Sequence, residues 1–406
     1  MIAATINLYK KAYSGLSRET WFLGLVILIN RSGTMVIPFM SIYCTQQLHY
    51  SIGQAGIIMS MFGAGSIVGA LISGRLVDKI GFYYVQFFTL LIGGSMFFVV
   101  AELTSFKSLC MGVFLLSLIN ESFRPANSTA IAYYSKQENR TRSYSLNRLA
   151  INLGFSVGGA LGGFLASKNY QLLFWVDGIT NICAAFLLLK LLPPVKYLQQ
   201  QKPNQVQGLS PYKDGHFLFF LLMLVLFATC FMQLFGMQPI FLKTIWHISE
   251  QQIGILMALN GLLIVFVEMV MIHALEGKKN AMFFIRIGVL LIGIGFLCLN
   301  LLNSVFISAI ISMVLITFGE IFAMPFMNAY WIGRTQTNNR GRYAALYTAA
   351  WSLAQIAAPT IGSQVAEHAG FNTLWWLVGV VCVVIMIMAF FLQSMHTNVS
   401  LVGDDK

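Results

Sequence analysis

Charge is what this sequence has least of. Only 10% of its 406 residues are Asp, Glu, Lys or Arg, against about 25% in an average water-soluble domain. With 57% hydrophobic residues and a mean hydropathy of +0.75, the chain lacks the polar surface to face water all round. Acidic residues are the scarcest, 14 against 25 Lys and Arg, for a net charge of +11. The basic residues sit in short gaps between apolar runs rather than on one polar face, which argues against a phosphate-binding groove; no nucleic-acid partner is expected. The six cysteines (Cys44, Cys110, Cys183, Cys230, Cys298 and Cys382) are scattered without a C-x-x-C pair. They read as small packing residues. The six histidines are dispersed, with no metal-ligand spacing. No G-x-x-x-x-G-K-[ST] loop is present, so an ATP-driven pump is not expected. No cofactor and no enzymatic activity are expected. A removable signal peptide is not expected either, because the first nineteen residues have no long apolar core before a cleavage site.

What the chain has instead is long apolar runs. A hydrocarbon core of ~30 Å needs about 20 apolar residues of helix, and helix is required because backbone groups in lipid must bond within their own segment. Twelve runs qualify. The first six are Thr20–Ile42, Gln54–Gly74, Phe82–Ala101, Leu109–Ala132, Tyr144–Ala166 and Leu172–Leu192. The second six are Phe217–Ile240, Gln252–Ala274, Ala281–Leu302, Val305–Met327, Tyr343–Val365 and Thr373–Leu392. The fold class is therefore an all-α membrane protein of twelve spans. Its expected segments are an N-terminal stretch at 1–19, a six-helix bundle at 20–192, a Pro- and Gln-rich linker at 193–216, a second six-helix bundle at 217–392 and a tail at 393–406.

Lys and Arg set the orientation. With both ends on one side, that side collects 18 of them and the other only Lys107, Lys168 and Lys243. Such an excess marks the cytoplasmic face, so both termini are expected there, in a plasma (bacterial inner) membrane. Arg31, Arg124, Arg148 and Arg286 lie within or at the ends of spans.

The two halves read as copies. His49-Tyr-Ser51-Ile-Gly-Gln54-Ala-Gly56 recurs as His247-Ile-Ser249-Glu-Gln-Gln252-Ile-Gly254, offset by 198 residues. At an offset of 200, Pro125 meets Pro325, Arg140 meets Arg340, Arg142 meets Arg342 and Gly162 meets Gly362. Duplicated halves with a site near the midplane between them are a transporter pattern.

After span 2 comes Gly74-Arg75-Leu76-Val77-Asp78-Lys79-Ile80-Gly81, similar to the G-x-x-x-D-[RK]-x-G signature of the major facilitator superfamily. In span 5, Gly154-x-x-x-Gly158-Gly159-x-x-Gly162-Gly163 is similar to the G-x-x-x-G-P-x-x-G-G motif of that family's twelve-span drug:proton antiporter branch, with Gly159 in place of proline. Phe123-Arg124-Pro125-Ala126 and Ser145-Leu-Asn147-Arg148 resemble bacterial multidrug-type members of that branch. The resemblance implies two pseudo-symmetric six-helix bundles, a conformational role for Gly74, Asp78, Lys79, Gly81, Gly154, Gly158 and Gly162, and a central cavity lined by spans 1, 4, 7 and 10. In the first of these motifs the glycines allow a tight connection between two helices, and Asp78 can bond a neighbouring helix N-terminus.

A charge at the bilayer centre costs about 2.5–3.5 kcal/mol on insertion scales. Arg31 beside Asn30 in span 1, Glu121 and Arg124 beside Asn120 in span 4, and Glu320 in span 10 carry such charges. Glu121 and Arg124, three apart, share a helical face. Glu320 has no basic residue within one turn and is the expected main proton carrier, with Glu121 paired to Arg124 or Arg31 in a switchable network. Asn30, Arg31, Asn120 and Arg124 are the expected substrate-cavity residues. Asp177, early in span 6 and near a membrane face, reads as a cap or a snorkelling group, and Glu268 in span 8 as a partner for a neighbouring span.

The function expected on these grounds is proton-coupled export of small amphipathic molecules by alternating access. The protein is expected to act as a monomer, with substrate, protons and lipid as its partners. Import of an anionic or zwitterionic solute is the alternative, favoured by two cavity arginines. A non-transporting receptor or scaffold is a third reading.

Overall fold

The computed structural model describes residues 15–136, 139–195, 210–275, 277–303, 305–335 and 339–403. The expectations for 1–14 and 196–209, with Lys10, Lys11, Lys196 and Lys202, and for Lys406 lie outside these residues. Among the described residues all regular structure is helical.

The helices of the first half are α1 (Arg18–Ser32), α2 (Val36–Ile42), α3 (Ile52–Ile80), α4 (Phe82–Ala101), α5 (Phe106–Glu121), α6 (Phe123–Tyr134), α7 (Arg140–Ala166) and α8 (Gln171–Leu191). Those of the second are α9 (Gly215–Phe231), α10 (Gln233–Thr244), α11 (Glu250–Leu263), α12 (Met269–Leu275), α13 (Ala281–Leu301), α14 (Phe306–Gly333) and α15 (Arg340–Gly403). Eleven helical stretches among the described residues are long and apolar enough to cross a membrane. The last, Arg342–Ser394, has 53 residues, or ~80 Å of helix, more than twice the hydrocarbon thickness. Gly370 breaks it with φ 83° and ψ 160°, between the two runs expected at Tyr343–Val365 and Thr373–Leu392. Residues 393–403, expected as a tail, continue the helix.

Several spans are interrupted inside their apolar stretch. Span 1 breaks between α1 and α2 and closes with a π turn at Tyr43–Gln47; span 4 breaks at Ser122, span 7 at Met232, and span 8 carries a π turn at Ile264–Glu268. Such irregular backbone is tolerated at membrane depth only where protein or water satisfies it.

By contact density the chain divides into two compact units, Met1–Met40 with Met61–Gln200, and Ser41–Ser60 with Gln201–Lys406. The internal repeat extends to backbone geometry. His49 and His247 both have positive φ, 56° and 52°. Each leads into a serine whose hydroxyl accepts the N–H of the glutamine three residues on, while that glutamine's Oε1 accepts the serine N–H. The distances are 3.2 and 3.0 Å for Ser51 and Gln54, and 3.3 and 3.1 Å for Ser249 and Gln252. This reciprocal cap satisfies two orphan helix donors at once. α5 and α14 start at Phe106 and Phe306, and α7 and α15 at Arg140 and Arg340, in the same 200-residue register.

Close helix contacts run through small residues. In the first unit a Cβ on Gly94 would lie 2.8 Å from the Gly178 carbonyl, so α4 and α8 touch backbone to backbone. In the second, a Cβ on Gly319 would lie 2.7 Å from the Gly288 carbonyl, joining α13 and α14. Trp375 is fully buried among Phe241, Phe296 and Phe371.

The Gly74–Gly81 motif departs from expectation. Residues 74–80 continue α3 as regular helix, and Gly81 alone makes the tight connection to α4, with φ 85°. A left-handed residue closes the turn in one step, which glycine does without a Cβ penalty. Gly74 has open space where a Cβ would go, and Asp78 and Lys79 are exposed.

Candidate functional site

Ending α1 at Ser32 frees backbone donors deep in an apolar span. Gly33 N–H and Thr34 N–H both turn back to the Arg31 carbonyl, the second at 3.1 Å. The Met35 and Val36 N–H groups then need acceptors, since unpaired donors in hydrocarbon cost several kcal/mol. Asp177 of α8 supplies them. Met35 N–H donates to Oδ1 and Oδ2, both at 3.0 Å, and Val36 N–H donates to Oδ2 at 2.9 Å. One turn along α8, Asn181 accepts a bond of 2.8 Å from Asn30 Nδ2 and donates one of 2.7 Å to the Asp177 carbonyl. Between these anchors sits Gly33, where any Cβ would strike the Thr180 side chain.

The other flank of span 1 rests on α7. A Cβ on Gly154 would lie 2.6 Å from Arg31 Cβ, one on Gly158 3.0 Å from the Ser32 carbonyl, and one on Gly162 3.1 Å from Met35 Cβ. The span 5 glycines therefore make room for the Arg31 segment. Gly362, the counterpart of Gly162, approaches Gln233, the counterpart of Met35.

These contacts bring Asn30, Arg31, Asn120, Glu121, Asp177 and Asn181 around one cavity of about 40 Å³ within the first unit. That is room for a few waters, and far below the ~300 Å³ at which sites for organic ligands begin. Glu121 is buried at 7% exposure. Arg124 Nε lies 3.1 Å from Glu121 Oε2, an ion-pair distance without hydrogen-bond alignment, so the oxygen remains an unfilled acceptor among the described residues. The Arg124 side chain is 59% exposed and stands outside the cavity lining. Arg31 Nε is buried with no hydrogen-bond partner among the described residues. One orphan donor and one under-used acceptor thus share a small polar cavity, an arrangement suited to water and protons.

Glu320 belongs to the second unit. It is half-buried, and its Oε2 accepts a bond of 3.2 Å from Asn260 Nδ2, which also lies 3.0 Å from Thr317 Oγ1. Glu268, buried at 5%, closes the π turn of span 8; such turns are frequent at functional sites.

Two features escaped the sequence. Asp177, expected as a cap or a snorkelling group near a membrane face, is wholly buried and caps a break in another span, a partner the sequence did not name. A carboxylate with no basic neighbour in its own helix, in the same half as an interrupted span, was the available signal. Arg334, counted only as an orientation charge, clasps Asp214 at the start of α9, and Tyr343 OH and Phe217 N–H each donate to the same carboxylate at 3.1 Å. Burial alone would raise the Asp214 carboxyl, but the hydrogen bonds from Arg334 and Phe217 and the Arg334 charge outweigh it and hold it below the usual carboxylate value.

Comparison with known proteins agrees with this architecture. A profile of the Major Facilitator Superfamily matches residues 20–359. A Na(+), Li(+), K(+)/H(+) antiporter of Planococcus maritimus is 24% identical over 389 residues, covering 86% of this chain and 90% of that protein. The class H tetracycline resistance protein of Pasteurella multocida is 22% identical, covering 84% and 87%. Among solved structures, the nucleoside transporter NupG (D323A mutant) superposes with a TM-score of 0.81 at 14% identity, over 93% of this chain and 99% of that one. With a family profile spanning most of its length and polar groups gathered inside apolar helices, this chain belongs to the Major Facilitator Superfamily of membrane transporters.

Proposed function

We propose that the protein is a proton-coupled secondary transporter that exports small amphipathic molecules by alternating access. In this reading the chain has twelve spans in two six-helix bundles, with 342–394 counted as two spans on either side of Gly370. It works as a monomer in the inner membrane with both termini in the cytoplasm. The observation that carries the coupling is the cavity shared by Arg31 and Glu121, with Glu320 held by Asn260 in the second unit.

Glu121 lies 3.1 Å from Arg124 Nε and shares the cavity with Arg31, the switchable network of this reading. Glu320, half-buried and bonded by Asn260, is in this reading the group that carries the proton through the cycle. Each proton moved down 100 mV supplies about 2.3 kcal/mol, enough for about fortyfold accumulation of a neutral solute. The named antiporter supports exchange, by its own activity rather than by a shared site.

The test is flux in proteoliposomes carrying an internal pH dye, with a panel of lipophilic cations and aromatic carboxylates as probes. Exchange predicts that an added substrate drives protons in the opposite direction. Glu320→Gln should abolish uphill, pH-driven movement, whereas uphill transport at the normal rate in that variant removes Glu320 from the role. The alternative is import of an anionic or zwitterionic solute, favoured by the unpartnered Arg31 Nε and the exposed Arg124. It predicts that solute and protons travel together.

A further inference from the structure

Asp177 has a place in this site that the coupling scheme does not use. It is wholly buried in α8, lines the same cavity as Arg31 and Glu121, and holds both loose N–H groups of the span 1 break. We propose that Asp177 is the positioning residue for Arg31, a proton-responsive clasp that sets the span 1 elbow and with it the place of the guanidinium in the cavity. The proposal rests on the reading of that cavity as the coupling site.

The chemistry follows from counting donors and acceptors. Ionised, the carboxylate has two acceptor oxygens and serves two amide donors, Met35 N–H and Val36 N–H. Adding one proton turns one of those oxygens into a donor. Oδ2 can still accept both amides, but from a neutral carboxyl their bonds lose the charge assistance that made them strong, and the grip on both amides weakens. Three residues separate Arg31 from Met35, and the other contacts that hold this stretch lie on the α1 side or at Gly33 and Thr34. The Thr34 N–H bonds the Arg31 carbonyl, Gly33 abuts Thr180, and Asn30 is tied to Asn181. Weakening the hold on Met35 and Val36 therefore loosens the elbow immediately after Arg31 and leaves the α1 side pinned at Asn30.

Two charged groups share the cavity with Asp177. Arg31 faces the cavity from α1 and Glu121 from α5. α4 presents Thr89, Leu90 and Phe97 to it and α2 presents Ile37, none of them titratable near neutral pH. Glycines of α7 back the span 1 segment and bring no charge. A proton entering by cavity water has two carboxylate destinations, Glu121 and Asp177. The first weakens a pairing with arginine, and the second moves an arginine.

Hydrogen exchange of the full-length protein in lipid nanodiscs tests this without any transported substrate. Exchange of the peptide covering 33–40 is followed from about pH 5 to 9 and corrected for the intrinsic pH dependence of amide exchange. In the wild type, protection should fall about tenfold or more on the acid side of a single midpoint, while α13 peptides keep theirs. Asp177→Asn should give a flat profile, and Asp177→Glu should restore a pH-dependent one. A cap with only a structural role gives a flat wild-type profile, and that result overturns the proposal. So does an Asp177→Asn profile that follows the wild type. Should Asp177→Asn fail to fold, seen as lost protection in α13 as well, the wild-type titration alone decides. A flat profile with intact proton-coupled flux rejects the clasp and leaves the transport reading standing; a titrating profile without proton flux does the reverse.

Discussion

Arg334 holds Asp214 with two of its nitrogens at once, Nη2 at 2.9 Å from Oδ1 and 3.1 Å from Oδ2, and Nε at 3.2 Å from Oδ2. The fork geometry ties the end of α14 to the entry of α9 in the second unit. Because the folded protein holds the Asp214 carboxyl below its ordinary value, the stabilisation is present above the unfolded carboxylate pKa and is lost as pH falls through the folded value. Removing one partner of a charged hydrogen-bonded pair costs about 1.5–3 kcal/mol. Arg334→Gln should therefore lower the melting temperature at neutral pH, and the deficit relative to wild type should shrink below about pH 4. Melting curves in detergent across pH check both.

The glycines of the two motifs should answer differently to a side chain. Gly154→Val forces a Cβ into Arg31 Cβ, an overpacking that costs about 1–3 kcal/mol, and it should impair transport through the Arg31 segment. Gly74→Ala meets open space inside a helix and should stabilise by about 0.5–1 kcal/mol. Equal melting temperatures for the two variants would contradict this packing.

Ser60 Oγ and Thr360 Oγ1 lie 2.7 Å apart, and a Cβ on nearby Gly56 would lie 2.7 Å from the Pro359 carbonyl. Glu367 accepts bonds from Gly53 N–H and from the Ser51 hydroxyl on the same face. Cysteines at 60 and 360, in a background without other cysteines, should cross-link under mild oxidation. If alternation parts this contact, transport should stop in the cross-linked protein and return on reduction. Absence of a cross-link by mass spectrometry would place the 52–60 segment elsewhere.

His49 and His247 occupy a backbone region that costs a non-glycine residue about 1–2 kcal/mol. Replacing either by glycine removes that cost and adds back some unfolded-chain entropy. His49→Gly and His247→Gly should each stabilise by about 0.5–1 kcal/mol, read as a rise in melting temperature.

The helical class and the apolar runs were legible because the bilayer imposes one length and one hydrogen-bonding solution on every span. The matched His-x-Ser-x-x-Gln turns were legible because capping chemistry is local in sequence. Asp177 was not, because its partners are backbone amides 141 and 142 residues away and nothing in α8 announces them. Asp214 and Arg334, 120 residues apart, were hidden in the same way. Arg31 and Glu121 were found by their cost in lipid, but the size of the space they share depends on helix placement, which composition does not encode.

The cavity beside Arg31 is about 40 Å³, room for a few waters. Whatever waters it holds set the solvation of Arg31 Nε, which bonds no protein group among the described residues.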